Sequence, residues 1–147
     1  MAEATLVIRL GYRGAGFAGF AEQPGGVRTV AGELRAALET ALRRPVELTC
    51  AGRTDAGVHA IAQYVSLPVF DDELDLPAYR LMRSLVALTP DDLSVGGLMR
   101  APAGFSARFD AISRSYRYRI AASDARPVLS WDHAWWYRGA LDTDAMA

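Results

Sequence analysis

The order of the apolar patterns limits the fold more than any other feature of this chain. "TLVIRLGY" (5–12) reads as a strand, and a helix follows over 29–44, with Val30, Leu34, Leu38, Ala41 and Leu42 at helical spacing. Thr29 stands where an N-cap belongs, arginines fill the last turn and Pro45 is the stop. "VELTC" (46–50) and "AIAQYVSL" (60–67) are two further strands. The acidic stretch 71–75 leads into a second helix over 76–88, ended by Thr89-Pro90, and "LSVGGLM" (93–99) is the fourth strand. Strand, helix, strand, strand, helix, strand is the split βαβ order, so the expected fold is α+β: a ferredoxin-like antiparallel sheet with helices on one face. "SRSYRYRIA" (113–121) adds an extra strand, with Tyr116, Tyr118 and Ile120 on one side and Ser115, Arg117 and Arg119 on the other.

A chain of 147 residues with 51% hydrophobic content suits one folded domain. No apolar run approaches the roughly 20 residues that span a bilayer. The start "MAEATLVIRL" lacks the basic n-region and cleavage site of a signal peptide, so the expected location is cytoplasmic, with no membrane partner. Cys50 is the single cysteine, and His59 and His133 have no ligand-spaced partners, so neither a disulfide framework nor a metal site is expected. Net charge is −1, which argues against a uniformly basic nucleic-acid binder. The charge is unevenly spread. Between Arg100 and Arg126 six arginines face two aspartates, while acid gathers in "DDELD" (71–75) and "PDD" (90–92). All sixteen basic residues are arginine, whose planar fork suits phosphates and bases, and the interleaved tyrosines offer stacking surfaces.

Two glycine-rich loops carry the remaining signal. "GAGFAG" (14–19) satisfies G-x-G-x-x-G directly after a strand, with Asp55 roughly where a dinucleotide fold keeps its ribose acid. That fold needs the last glycine inside a helix facing the pyrophosphate. Here Pro24-Gly25-Gly26 delays the helix by about ten residues, so the segment reads as a close-approach loop instead. The second loop, "CAGRTDAGVHA" (50–60), packs Arg53, Thr54 and Asp55 between Gly52 and Gly57. Asp55 either caps its own turn through its carboxylate or presents that carboxylate for chemistry.

"AGRTDAGVHA" resembles the active-site motif of the TruA-type tRNA pseudouridine synthases, and the likeness extends to "GYRGAGFAGF", "TVAGELRAAL", "DDLSV" and "GFSARFDAISRSYRYRI". The resemblance implies an isomerase that converts uridine to pseudouridine in the anticodon arm of tRNA, with Asp55 as catalytic nucleophile and no cofactor or metal. It further implies that Arg53 fills the gap left by the flipped base, that Tyr116 stacks on the uracil and helps remove the C5 proton, and that Arg108 binds substrate. A homodimer is the family's assembly. On this reading Asp55 is partly exposed in a cleft, flanked by the 13–28 loop and arginines 100–126.

The chain departs from the family pattern in places. Gly19-Phe20-Ala21 replaces the common Gly-Trp-Gln, Ala31 replaces a glutamine, and "LVALTPDD" lacks the usual asparagines. The match covers about the N-terminal half of a typical member, and "LDTDAMA" reads as the start of a helix. The expectation is therefore that residues 1–147 are the N-terminal half of a catalytic domain, with the C-terminal half absent and this piece inactive alone. The competing readings are a non-catalytic RNA-binding module of ferredoxin-like fold, although no RNP1 pattern is present, and an interaction domain in which Asp55 serves only its turn.

Overall fold

The computed structural model describes residues 3–74 and 77–147. The chain divides into two compact units, Met1–Ser113 and Arg114–Ala147. The first is a four-stranded sheet in the order β2-β3-β1-β4, built from β1 (Ala4–Tyr12), β2 (Thr49–Cys50), β3 (Ala60–Val69) and β4 (Leu93–Pro102). All its pairings are antiparallel, and β1 runs between β3 and β4 with Leu6 opposite both Leu67 and Arg100. With α1 (Val30–Leu42) following β1, and α2 (Asp71–Leu74) and α3 (Ala78–Leu88) lying between β3 and β4, this is the ferredoxin-like α+β fold expected from the sequence.

Strand period and helix period meet in one core. Ala4, Leu6, Ile8, Leu10 and Tyr12 of β1 join Val65, Leu67 and Val69 of β3, Val30, Leu34 and Leu38 of α1, and Leu85 of α3. Thr29 caps α1 by accepting a hydrogen bond from the Gly32 N–H at 3.2 Å. The helix stops one residue before the expected arginines. Arg43 takes the left-handed C-cap conformation, φ 57°, and Arg44 turns away to Glu73. The opposite sheet face is covered in part by the chain after β4, where the buried Ala107 N–H donates to Ser66 Oγ at 2.9 Å. Central strand β1 is therefore buried on both sides along most of its length.

Two element boundaries differ from expectation for identifiable reasons. Only Thr49 and Cys50 of 46–50 join the ladder, opposite Ser66 and Val65. Two pairs further along stands Pro68, which has no N–H to donate, and the Val46 N–H is taken by Glu39 Oε1 at 3.2 Å. The acidic run is not simply a lead-in to the second helix but forms α2, in which Glu73 Oε2 accepts the Phe70 N–H at 2.9 Å in a reciprocal cap. The expected start of the second helix at Leu76 lies outside the described residues; α3 begins at Ala78.

Arg44 ties the end of α1 to α2 by meeting both oxygens of Glu73, at 2.6 and 2.8 Å, and the Pro68 carbonyl at 2.9 Å. The hydrogen bonds from Arg44 hold the Glu73 carboxyl below its ordinary value, against the opposing effect of its partial burial. A carboxyl depressed in the folded state contributes stability above its unfolded value and loses it as the pH falls through the folded one. Glu73→Gln is expected to cost about 1–2 kcal/mol at pH 7 and less at pH 3, as the carboxyl begins to take up its proton. Denaturant titrations at the two pH values check this, and an equal cost at both would show that the ion pair is not the source.

In the second unit, β5 (Ile120–Ala122) pairs in parallel with β6 (Trp135–Tyr137). The Trp136 indole N–H donates to the Ser123 carbonyl at 2.9 Å, and the guanidiniums of Arg126 and Arg138 lie 5.3 and 4.6 Å from its ring. The extra strand expected over 113–121 is thus realised only at its end, and outside the four-stranded sheet. No described ladder pairs residues 113–118, and their alternating side chains are exposed on both sides, Tyr116 at 77% and Tyr118 at 78%. An apolar alternation becomes a strand only when a neighbour takes up its backbone hydrogen bonds. Residues 141–147 form turns rather than a helical start, with the Ala145 N–H bonded to Asp142 Oδ1 at 3.0 Å.

Candidate active site

Between β2 and β3 the chain makes the turn that carries Asp55. The Val58 N–H donates to the Asp55 carbonyl at 3.1 Å, and Gly57 sits at φ 81°, the third position of a type II turn, where a side chain would be strained. Backbone atoms and one glycine close this turn. The Asp55 carboxylate is exposed and has no hydrogen bond or ion pair among the described residues, so it does not cap its own turn.

The residues around it are tied down. The Thr54 carbonyl accepts the Phe20 N–H at 2.9 Å, and the Thr54 hydroxyl bonds the Tyr12 hydroxyl at 2.8 Å. Gln63 is buried, donates through Nε2 to the Gly52 carbonyl and to Tyr12 Oη, and accepts its neighbour's Tyr64 N–H at 3.1 Å. The Gly14 N–H donates to His59 Nδ1 at 3.1 Å, which places that ring's own proton on Nε2 in the neutral form.

The first glycine loop is the bed on which this turn rests. A Cβ on Gly14 would stand 2.0 Å from the Val58 carbonyl oxygen, and one on Gly19, at φ 97°, would stand 3.2 Å from the Thr54 carbonyl oxygen. Those glycines permit close approach of two backbones, the role read from the sequence, and α1 begins eleven residues after Gly19, too late for a dinucleotide site. Arg28 fastens the loop from the other side. It bonds both Asp92 oxygens at 2.7 Å, Glu33 at 3.0 Å and the Gly16 carbonyl at 3.2 Å, and lies 4.2 Å from the Phe17 ring centre. Hydrogen bonding to Asp92 raises the Arg28 pKa well above the ordinary arginine value, and the same bonds lower that of Asp92. Phe20, where the family commonly has tryptophan, is buried beside Tyr12 with ring centres 6.3 Å apart. It holds Thr54 through its backbone N–H, so the changed side chain leaves that anchor in place.

The other residues singled out from the sequence fall in different surroundings. Arg53 is exposed on the same turn and makes no ion pair with Asp55. Arg108 belongs to the first unit, exposed after β4 with its guanidinium 5.3 Å from the Phe109 ring, and Tyr116 belongs to the second unit. Arg100 does not flank the turn: it pairs with Asp71 and stands opposite Leu6, six residues along β1 from Tyr12 and so roughly 20 Å away along the strand. Two hollows of this unit lie elsewhere. One is lined by Leu6, Glu73, Leu81, Leu98 and Arg100, another by Thr5, Thr49, Ser66 and Phe105, and neither includes Asp55. Among the described residues no group of three His, Cys, Asp or Glu could hold a metal ion. Sequence reading missed the Tyr12, Gln63 and His59 anchors; only the position of Tyr12 at the strand end, next to the glycine loop, hinted at one of them.

No family model matches the chain. It is 45% identical over 139 residues to the tRNA pseudouridine synthase A of Bifidobacterium animalis subsp. lactis, an alignment covering 86% of this chain and 45% of the relative. Identity to the protein of the same name from Frankia casuarinae is 45% over 145 residues, covering 97% and 51%. For that of Verminephrobacter eiseniae it is 38% over 141 residues, covering 96% and 50%. The chain spans about half the length of the curated relatives it matches. Likeness at this level, running in register through nearly all of the chain, carries one conclusion: it belongs to the TruA-type tRNA pseudouridine synthase family.

Proposed function

We propose that the protein isomerises uridine to pseudouridine in the anticodon arm of tRNA, with Asp55 as nucleophile. The observation that carries this reading is the Asp55 carboxylate: exposed and without a partner among the described residues, in a turn where Gly52 and Thr54 are bonded to the fold. A charged side chain held out in this way by a rigid support is what nucleophilic catalysis requires. The aspartate turn lies within the half of the relatives' length that this chain matches. The enzyme works in the cytoplasm as a homodimer, and no described helix is long and apolar enough to cross a membrane.

The reaction rearranges bonds without oxidation or a departing group. Asp55 attacks ribose C1′ as the bond to N1 breaks, and the electron pair moves to N1. The freed uracil turns, C5 attacks C1′ and displaces the carboxylate, C5 gives up its proton and N1 gains one. The target base must leave its stack to reach Asp55. Arg53 occupies the gap it leaves, Arg108 holds backbone phosphate, and Tyr116 stacks on the uracil and takes the C5 proton.

The test uses the full-length protein and unmodified tRNA labelled with tritium at uridine C5. Release of label with formation of pseudouridine, mapped to the anticodon arm, is the expected result. Tight tRNA binding without label release would instead establish an RNA-binding module. Tyr116→Phe keeps the ring and loses the hydroxyl, so turnover is expected to fall about 100-fold, the scale of a general base, with tRNA affinity unchanged. Near-normal turnover would leave Tyr116 as a stacking surface only.

A further inference from the structure

We propose that the Tyr12 hydroxyl is a positioning group that aims the Asp55 carboxylate, an assignment that rests on the pseudouridine synthase reading above. Tyr12 is buried at the end of β1, with its ring among Phe17 and Phe20 and only its hydroxyl directed to the turn. Gln63 also reaches that hydroxyl. Its amide oxygen accepts the Tyr64 N–H, so both Nε2 protons are free to donate, one to the Gly52 carbonyl and one to Tyr12 Oη at 3.4 Å. The Tyr12 hydroxyl and Thr54 Oγ1 share a hydrogen bond of 2.8 Å.

Among the described residues the Asp55 carboxylate has no partner, so its direction follows the backbone immediately before it. That backbone has three supports: Gln63 on the Gly52 carbonyl, the Phe20 N–H on the Thr54 carbonyl, and Tyr12 on the Thr54 hydroxyl. Two of them hold main-chain atoms and would persist without Tyr12 Oη. The third sets Thr54 about its side chain, adjacent to the nucleophile. Displacement of a reacting group by about 1 Å costs on the order of 100-fold in rate, even where the disturbance lies away from the chemistry.

Tyr12→Phe retains the buried ring and the Gln63 bond to Gly52. In the intact gene product its kcat on tRNA is expected to fall about 10- to 100-fold, with KM within about twofold because the buried Tyr12 reaches no substrate. Thr54→Val should match it, Thr54→Ser should restore most of the rate, and Tyr12→Phe combined with Thr54→Val should be no worse than either alone, since one bond is lost in each case. Loss of folded protein would also lower apparent kcat at unchanged KM, so rates are taken per folded enzyme, quantified by circular dichroism on the same preparations, and the loss that remains, with its rescue by serine, reports positioning. In parallel, amide exchange is measured on the 147-residue chain. The Phe20 and Val58 N–H groups should exchange about tenfold faster in Tyr12→Phe, with β1 and β3 unchanged. A kcat within twofold of wild type, a Thr54→Ser variant as impaired as Thr54→Val, or unchanged exchange at Phe20 and Val58 would overturn the proposal. Should the wild-type protein form no pseudouridine, the functional reading fails, and the exchange measurement decides whether Tyr12 positions the turn.

Discussion

Asp55→Asn is expected to lower pseudouridine formation by about 10⁴-fold or more while leaving the fold and tRNA affinity nearly intact. An amide is nearly the same size as a carboxylate but is not a nucleophile, and it cannot form the intermediate through which the base is released and rejoined. The carboxylate is exposed and unpartnered among the described residues, so its replacement breaks no internal bond, and unfolding free energy should move by no more than about 0.5 kcal/mol. Affinity for tRNA comes chiefly from phosphate contacts elsewhere and should change by less than about threefold. Asp55→Ala should give the same three results. Single-turnover assays, denaturant titration and filter binding on the same preparations provide the check. Appreciable turnover in Asp55→Asn would remove the nucleophile assignment, and a stability loss above about 1 kcal/mol would return Asp55 to a purely structural role in its turn.

The second large effect is expected at Gly14. An alanine there places its Cβ 2.0 Å from the Val58 carbonyl oxygen and 2.8 Å from the Gly57 carbonyl carbon. Both are backbone atoms that cannot swing aside, so the first glycine loop and the aspartate turn must separate. Separation strains the Gly14 N–H bond to His59 and the Phe20 bond to Thr54. We expect Gly14→Ala to cost about 3 kcal/mol, a fall in Tm of about 10 °C for a chain of this size, and to reduce turnover together with stability. Gly25→Ala is the comparison. Gly25, unlike Gly14, is at positive φ, 92°, and has open space around it, so only local strain of about 1 kcal/mol is expected there. A loss at position 14 no larger than that at 25 would mean that contact between the loops does not explain the glycine at 14.

The pattern of residues by itself determined the core of this protein. Helical spacing in 30–42, strand patterns in 5–12 and 60–67, the Thr29 cap and the Pro45 stop are local properties, and the strand-helix order leaves few ways to cover one sheet face. The aspartate turn was legible for the same reason: Gly52 and Gly57 mark a backbone that must bend within a few residues, and an acidic side chain at its tip is either a cap or a reagent. Whether the carboxylate serves as a cap depends on which atom closes the turn, and in the tertiary structure that atom is the Asp55 carbonyl rather than the carboxylate. The same holds for Arg28 and Arg100. As letters they belong with the other arginines of a basic, RNA-facing set, yet Asp92, 64 residues from Arg28, and Asp71, 29 residues from Arg100, claim them. The anchors of the site, Tyr12 to Thr54 across 42 residues and Gly14 to His59 across 45, are likewise contacts between segments that no local periodicity encodes. The tyrosine-arginine alternation at 115–119 shows the reverse limit. Its period of two is intrinsic, but strand formation needs a neighbouring backbone, and that is a property of the fold rather than of the segment.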